Sequence, residues 1–215
     1  MPEPSPRGYA SGRRRRDQVV SAAFTAFGTV GYRQTSMSQI AADCGVSRAG
    51  LFHHFPTKES LLEAVLDERD RRHSLRFFEG APGPGHDGLD HFARLVALTG
   101  ANATTPGIVS LYAVLSAEAT DPAHPAHAYF VRRYENSRRH LTMAFEDLRS
   151  RGLLRDSSVD GLRLAEEIIA IMDGLQIQWL LSPTAVDMPG RLRERLTEII
   201  RVELPEVPPT PAAEL

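Results

Sequence analysis

The stretch Gly31–Leu62, GYRQTSMSQIAADCGVSRAGLFHHFPTKESLL, decides the fold of this chain, because it spells two short helices joined by a tight turn. Ile40, Ala41 and Cys44 recur at helical spacing, which predicts a helix from about Ser36 to Cys44 with one apolar face turned inward. Gly45 then supplies the left-handed backbone that a sharp helix exit requires, and Val46 drops a branched side chain into the angle that follows. Ser47 is placed to cap the next helix. There Leu51, His54 and Phe55 form the inner face, while Arg48, Ala49, Gly50, Phe52 and His53 are left outward or at the N-terminal end. Ala41 is small where two crossing helices come closest, and a larger side chain would push them apart.

These residues resemble the N-terminal domain of TetR-type transcriptional regulators. The resemblance is carried by Gly31-Tyr32, Thr35-Ser36-Met37, Ile40-Ala41, Gly45-Val46-Ser47, Leu51-Phe52, His54-Phe55, Lys58-Glu59 and Leu61-Leu62, and with the upstream helix it covers about the first third of the chain. Two positions depart from the family pattern. Phe52 stands where a Tyr is common, which removes a hydroxyl for phosphate, and Cys44 replaces a common Ala, a small-for-small change.

Working outward, the net charge of -2 conceals an asymmetry. Residues 1–58 carry eight Arg/Lys against three acids, so this head is +5 and the remaining body is -7. A basic head on an acidic body is expected where only the head meets a polyanion. Twenty-four of the twenty-five basic residues are Arg, which we read as a bias of composition rather than a signal. At 215 residues the chain holds enough apolar material for one large core or two modest ones. Cys44, the single cysteine, excludes an internal disulfide or a cysteine-cluster metal site and fits a cytoplasmic location. The basic N-terminal stretch lacks an apolar segment behind it, and no long apolar run follows, so neither a signal peptide nor a membrane span is expected.

The periodicity predicts an all-α fold; the family resemblance implies that it is arranged as an N-terminal three-helix helix-turn-helix DNA-binding domain followed by a larger helical ligand-binding and dimerisation domain. Residues 1–12 read as a disordered arm, 13–60 as the DNA-binding domain, 61–204 as the ligand-binding and dimerisation domain, and 205–215 as a disordered tail. Val20, Phe24 and Phe27 mark a first helix between Arg15 and Thr29, and Thr57 caps the long helix that carries Leu61, Leu62, Val65 and Leu66 inward. GAPGPGHDG, residues 80–88, breaks the pattern. Further helices are expected near 88–103, 107–118, 124–151, 160–182 and 188–203, and no strand pattern persists anywhere.

If the helix after Ser47 enters a major groove, its N-terminal residues meet base edges first. Arg48 is then the main specificity residue, since its planar fork bonds both acceptors of guanine, worth about 1–3 kcal/mol of discrimination. Ala49 and Gly50 permit close approach, His53 reaches a base or phosphate, and Phe52 lies beside them. Ser36, Ser38, Gln39, Ser47 and Lys58 are placed at helix starts to hold phosphates. The run Arg13, Arg14, Arg15, Arg16 is either an arm along the backbone or in a minor groove, or a solvated charge run.

One such helix covers few base pairs, so a palindromic operator in double-stranded DNA and a symmetric homodimer are expected. The segment 160–182 is apolar on more than one side, which makes Ile168, Ile171, Met172, Leu175 and Trp179, with Leu192, Leu196, Ile199 and Ile200 of the last helix, candidates for a four-helix interface; burial within one subunit is the alternative. The family resemblance implies a small-molecule effector in this half. Phe77, Phe92, Tyr112, Tyr129, Tyr134, Met143, Gln176 and Trp179 are the candidate lining, each of which is equally ordinary core. An enzyme is not expected, because no nucleophile elbow or phosphate-cradling loop is present. His124 and His127 make half a metal site at best, with His86, His91 or His140 to complete it, so no cofactor or metal is expected. The overall expectation is a sequence-specific repressor released by a small apolar or amphipathic ligand; the alternative is a nonspecific or architectural DNA-binding protein.

Overall fold

A computed structural model describes the backbone of residues 6–207 and the side chains of residues 12–207. The chain divides into two compact units, Met1–Asp70 and Arg71–Leu215.

The first unit holds α1 (Pro6–Val30), α2 (Met37–Asp43), α3 (Arg48–His54) and most of α4 (Lys58–His73). Each boundary has a local cause. Ser36 caps α2 by accepting from Gln39 N–H at 3.1 Å, and Ser47 caps α3 by accepting from Gly50 N–H at 3.0 Å. Between them Gly45 adopts φ +66°, while Val46 N–H donates to Ala41 C=O at 3.0 Å, closing the end of α2. Thr57 and Ser60 cap α4 reciprocally, each hydroxyl accepting from the other's backbone N–H. Val19, Ala23, Phe27, Ile40, Leu51, Leu61 and Leu62 are closed from solvent, and Ala41 is buried as its position between the helices demands.

The second unit comprises the end of α4, a π-helical turn (Ser74–Phe78), α5 (Gly88–Asn102), α6 (Pro106–Glu118), α7 (His127–Ser150), α8 (Gly161–Leu181) and α9 (Met188–Ile199). Its core is Phe92, Phe145, Leu148, Ile168, Leu192 and Leu196, with the Phe92 and Phe145 rings 4.5 Å apart. The start of α5 is pressed against α7: a Cβ on Gly88 would stand 2.4 Å from Ala144 O. Gly88 N–H also donates to Asp147 at 2.8 Å.

The helical class and the helix order match the periodicity, but several boundaries differ. The helix α1 begins at Pro6, so residues 6–12 are helical rather than a disordered arm; residues 1–5 lie outside the described residues. Pro at the first helical position costs nothing there, because its missing N–H would have no partner anyway. The unit division falls after Asp70 instead of after residue 60, still within α4. The last helix stops at Ile199, and Ile200 pairs with Leu154 in an isolated antiparallel bridge, with Arg201 N–H donating to Leu153 C=O at 2.8 Å. Leu204 and Val207 pack on the core, so the expected disordered tail begins no earlier than residue 208, outside the described residues. Among the described residues no helix is long and apolar enough to cross a membrane.

Candidate nucleic-acid interface

The first unit sorts its residues as a reading head requires. Leu51 and Phe55 are buried in the angle between α2 and α3, while Arg48, Ala49 and His53 are exposed and Gly50 and Phe52 are half-buried. The Arg48 guanidinium lies over the Phe52 ring, 5.6 Å from its centroid. A planar cation on an aromatic face has fewer orientations, so the ring that lacks the usual hydroxyl holds the arginine fork instead. Ser36 and Ser47 use oxygen lone pairs for capping and keep their O–H donors for an anion. Ser38 is exposed on α2. Gln39 is committed otherwise, since its amide donates to Asp43 at 2.7 Å.

Lys58 is held by a cradle that the sequence does not advertise. Its ammonium stands 4.4 Å from the Tyr32 ring centroid and donates to Arg33 C=O at 3.4 Å. Burial, only partly countered by Glu59, lowers the Lys58 pKa. Burial and then the Glu59 carboxylate, which accepts from the phenol at 3.4 Å, push Tyr32 up to about 12. The 25-residue separation of Lys58 and Arg33 hides this arrangement from local pattern reading.

Arg13, Arg14, Arg15 and Arg16 are exposed and belong to α1. A helix about 10–12 Å wide does not itself enter a minor groove about 6 Å wide, so only these side chains can reach a duplex. Arg16 is moreover anchored 5.0 Å over the Phe55 ring.

The second unit redistributes the candidate lining. Phe77 and Phe92 belong to the main core, and Trp179 packs with Val109 and Met188 in a separate apolar group. Met143 is 43% exposed and borders the 80–88 loop, 3.3 Å from where a Gly85 Cβ would be. Phe77 and Phe92 thus lie in a different apolar cluster from Trp179, and Met143 lies at the surface. Tyr112, Tyr129 and Tyr134 do come together around Phe130, with ring separations of 5.1, 5.0 and 6.5 Å from it. Tyr134 donates to Asp173 of α8 at 2.7 Å, and Gln176 lies one turn further along that helix, buried.

The residues expected at a subunit interface divide between the core of this unit and its surface. Ile168, Leu192, Leu196, Ile199 and Ile200 are buried in the subunit's own core, and Trp179 in its satellite. Met172 and Leu175 pack against those clusters, and Ile171 is half-buried. Instead, α8 exposes Leu162, Ile177 and Leu181, the last 82% exposed.

The histidines serve the connection between α6 and α7. His124 Nδ1 accepts from Ala126 N–H at 3.2 Å, and a His127 ring nitrogen meets Ala119 C=O at 2.8 Å. Among the described residues no three His, Cys, Asp or Glu side chains gather at metal-holding distance.

Comparison with known proteins agrees with this geometry. The model of the N-terminal domain of "Bacterial regulatory proteins, tetR family" matches residues 19–65. The regulator UidR of Escherichia coli K12 is 34% identical over 68 residues, 32% of this chain and 35% of its own length, so the match spans about a third of that relative. The regulator TtgR of Pseudomonas putida is 29% identical over 183 residues, covering 81% of this chain and 84% of TtgR. Among solved structures, SmeT, a repressor from Stenotrophomonas maltophilia solved with triclosan, superposes with a TM-score of 0.75 at 16% identity, over 92% of this chain and 99% of SmeT.

Proposed function

We propose that this chain, whose residues 19–65 match the TetR family of bacterial regulatory proteins, is a cytoplasmic, homodimeric repressor that binds a palindromic operator and is released by a small apolar or amphipathic molecule. The observation that carries the reading is the exposed end of α3. There Arg48, Ala49 and His53 are exposed, with Gly50 half-buried beside them, on a helix whose inner face is locked by Leu51 and Phe55. Arg48 reads guanine, and Ala49 with Gly50 lets the backbone approach base edges. Ser36, Ser38, Ser47, Lys58 and the arginines of α1 hold phosphates and set the register.

A second copy doubles the site. The exposed apolar stripe of α8, Leu162, Ile177 and Leu181, is the surface we assign to it, because large apolar side chains on one helix face favour burial by a partner. Two recognition helices about 34–36 Å apart then match successive turns of one duplex face. The effector acts by population shift: bound in the second unit, it favours the conformation less suited to DNA and weakens the complex only by its differential affinity for the two states. The continuous helix α4 carries residues of both units, which makes it the element to transmit that choice.

Competitive selection from random double-stranded DNA at fixed salt tests the proposal. A palindromic consensus supports it, and recovery of unrelated sequences overturns it in favour of a nonspecific binder.

A further inference from the structure

The helix α8 carries a carboxylate and an amide that the packing leaves without the partners such groups normally find. Asp173 is half-buried and accepts one hydrogen bond, from the neutral Tyr134 phenol at 2.7 Å. Among the described residues no ion pair closes on it. Arg133 acts on it only as a field, and burial, the largest influence, pushes its pKa up. Three residues on, and so on the same face, Gln176 is only 8% exposed, yet its amide has no hydrogen-bond partner among the described residues. Nor is that amide sealed away as Thr142 Oγ1 is. An amide reachable at its tip and without a protein partner can both donate to and accept from a polar group of a ligand.

Aromatic rings adjoin Asp173 through its bond to Tyr134. Tyr112 of α6 and Tyr129, Phe130 and Tyr134 of α7 form a connected group. Faces of such rings attract cations, and the chain demonstrates it, since the Arg133 guanidinium lies 6.0 Å from the Tyr112 centroid. A carboxylate repels an anion, and a neutral apolar molecule gains nothing from it. A cation gains from both the carboxylate and the rings, against the repulsion of Arg133, which already lies on the Tyr112 face.

We propose that the Asp173–Gln176 face of α8, with the tyrosines of α6 and α7, binds an organic cation, a protonated amine or quaternary ammonium whose polar tail meets the Gln176 amide. The proposal rests on the reading of this unit as the effector-binding half and names the chemistry of its ligand.

Calorimetric titration of the full-length protein tests it, with choline and benzyltrimethylammonium as probes and 3,3-dimethylbutan-1-ol as the uncharged isostere of choline. At least one cation binds, and the isostere of choline binds at least about ten-fold more weakly than choline or not at all. The D173N variant keeps an acceptor for the Tyr134 hydroxyl and so retains the fold, checked by its thermal midpoint, but loses the preference for charge. Failure of both cations to bind at millimolar concentration, equal binding of the isostere, or an undiminished preference in D173N overturns the proposal. The comparison of charged and uncharged probes needs no variant, so it decides even if D173N is unstable. Cation binding that leaves the affinity for a selected duplex unchanged supports the site and instead overturns its role as the effector switch.

Discussion

Replacing Phe52 with Ala should weaken reading of one base rather than binding as a whole. The Arg48 guanidinium is exposed and lies 5.6 Å from the Phe52 centroid, so the contact belongs to the solvent-facing class of cation–π pairs, worth about 0.5–1 kcal/mol. Two subunits on a palindrome double this to about 1–2 kcal/mol, a loss of about 5–30-fold in affinity for the preferred duplex. Arg48→Ala removes the bidentate contact itself, about 1–3 kcal/mol per half-site. Because the ring acts through the arginine, the double variant should bind no more weakly than Arg48→Ala alone, and Phe52→Tyr, which keeps the aromatic face, should retain the preference. Fluorescence anisotropy with the selected duplex, and with one altered at the guanine pair, gives all the terms of the cycle. Additive losses, or equal weakening of both duplexes by Phe52→Ala, would refute the argument.

Other perturbations test other parts of the structure. Gly45→Ala adds a Cβ that meets nothing within 4 Å, so its cost is the left-handed backbone alone, about 1–2 kcal/mol, seen as a lower urea midpoint with unchanged slope. Gly88→Ala brings a Cβ to 2.4 Å from Ala144 O and should cost more than Gly45→Ala, because α5 must move off α7. Burial, reinforced by His140, lowers the His91 pKa to about 4 from its usual 6.5. The unfolded chain therefore binds the extra proton first, and stability should fall as pH drops from about 6.5 to about 4, by up to about 3 kcal/mol, levelling below. His91→Gln should flatten that dependence in urea titrations across pH; an unchanged slope would show that His91 is not responsible. Raising salt from about 50 to about 200 mM should cut operator affinity by about 10³–10⁵-fold if six to ten phosphates are neutralised, and a flat response would contradict phosphate anchoring.

What the sequence makes legible is local. Ser36, Gly45 and Ser47 set the turn between α2 and α3 through bonds spanning a few residues, so their types and spacing predict the geometry found. The division of apolar residues between core and interface is not local. Periodicity shows that α8 and α9 have apolar faces but not what covers them, and Ile168, Leu192 and Leu196 were covered by the subunit's own α5 and α7 cluster. Pairings such as Tyr134 with Asp173, 39 residues apart, and Lys58 over Tyr32 arise only when distant helices meet. The start of α1 was hidden by Gly8 and Gly12, which weaken a helical pattern without preventing a helix.

The account turns on Arg48 being presented to base edges by two copies of α3. Selection from random duplexes with the unaltered protein and with Arg48→Ala measures this directly. The account predicts a palindrome whose half-sites lie about ten base pairs apart, centre to centre, or a multiple of that turn, with preference for guanine at one symmetric pair of positions lost in the variant. Enrichment of no palindrome, or an identical consensus from both proteins, would contradict it.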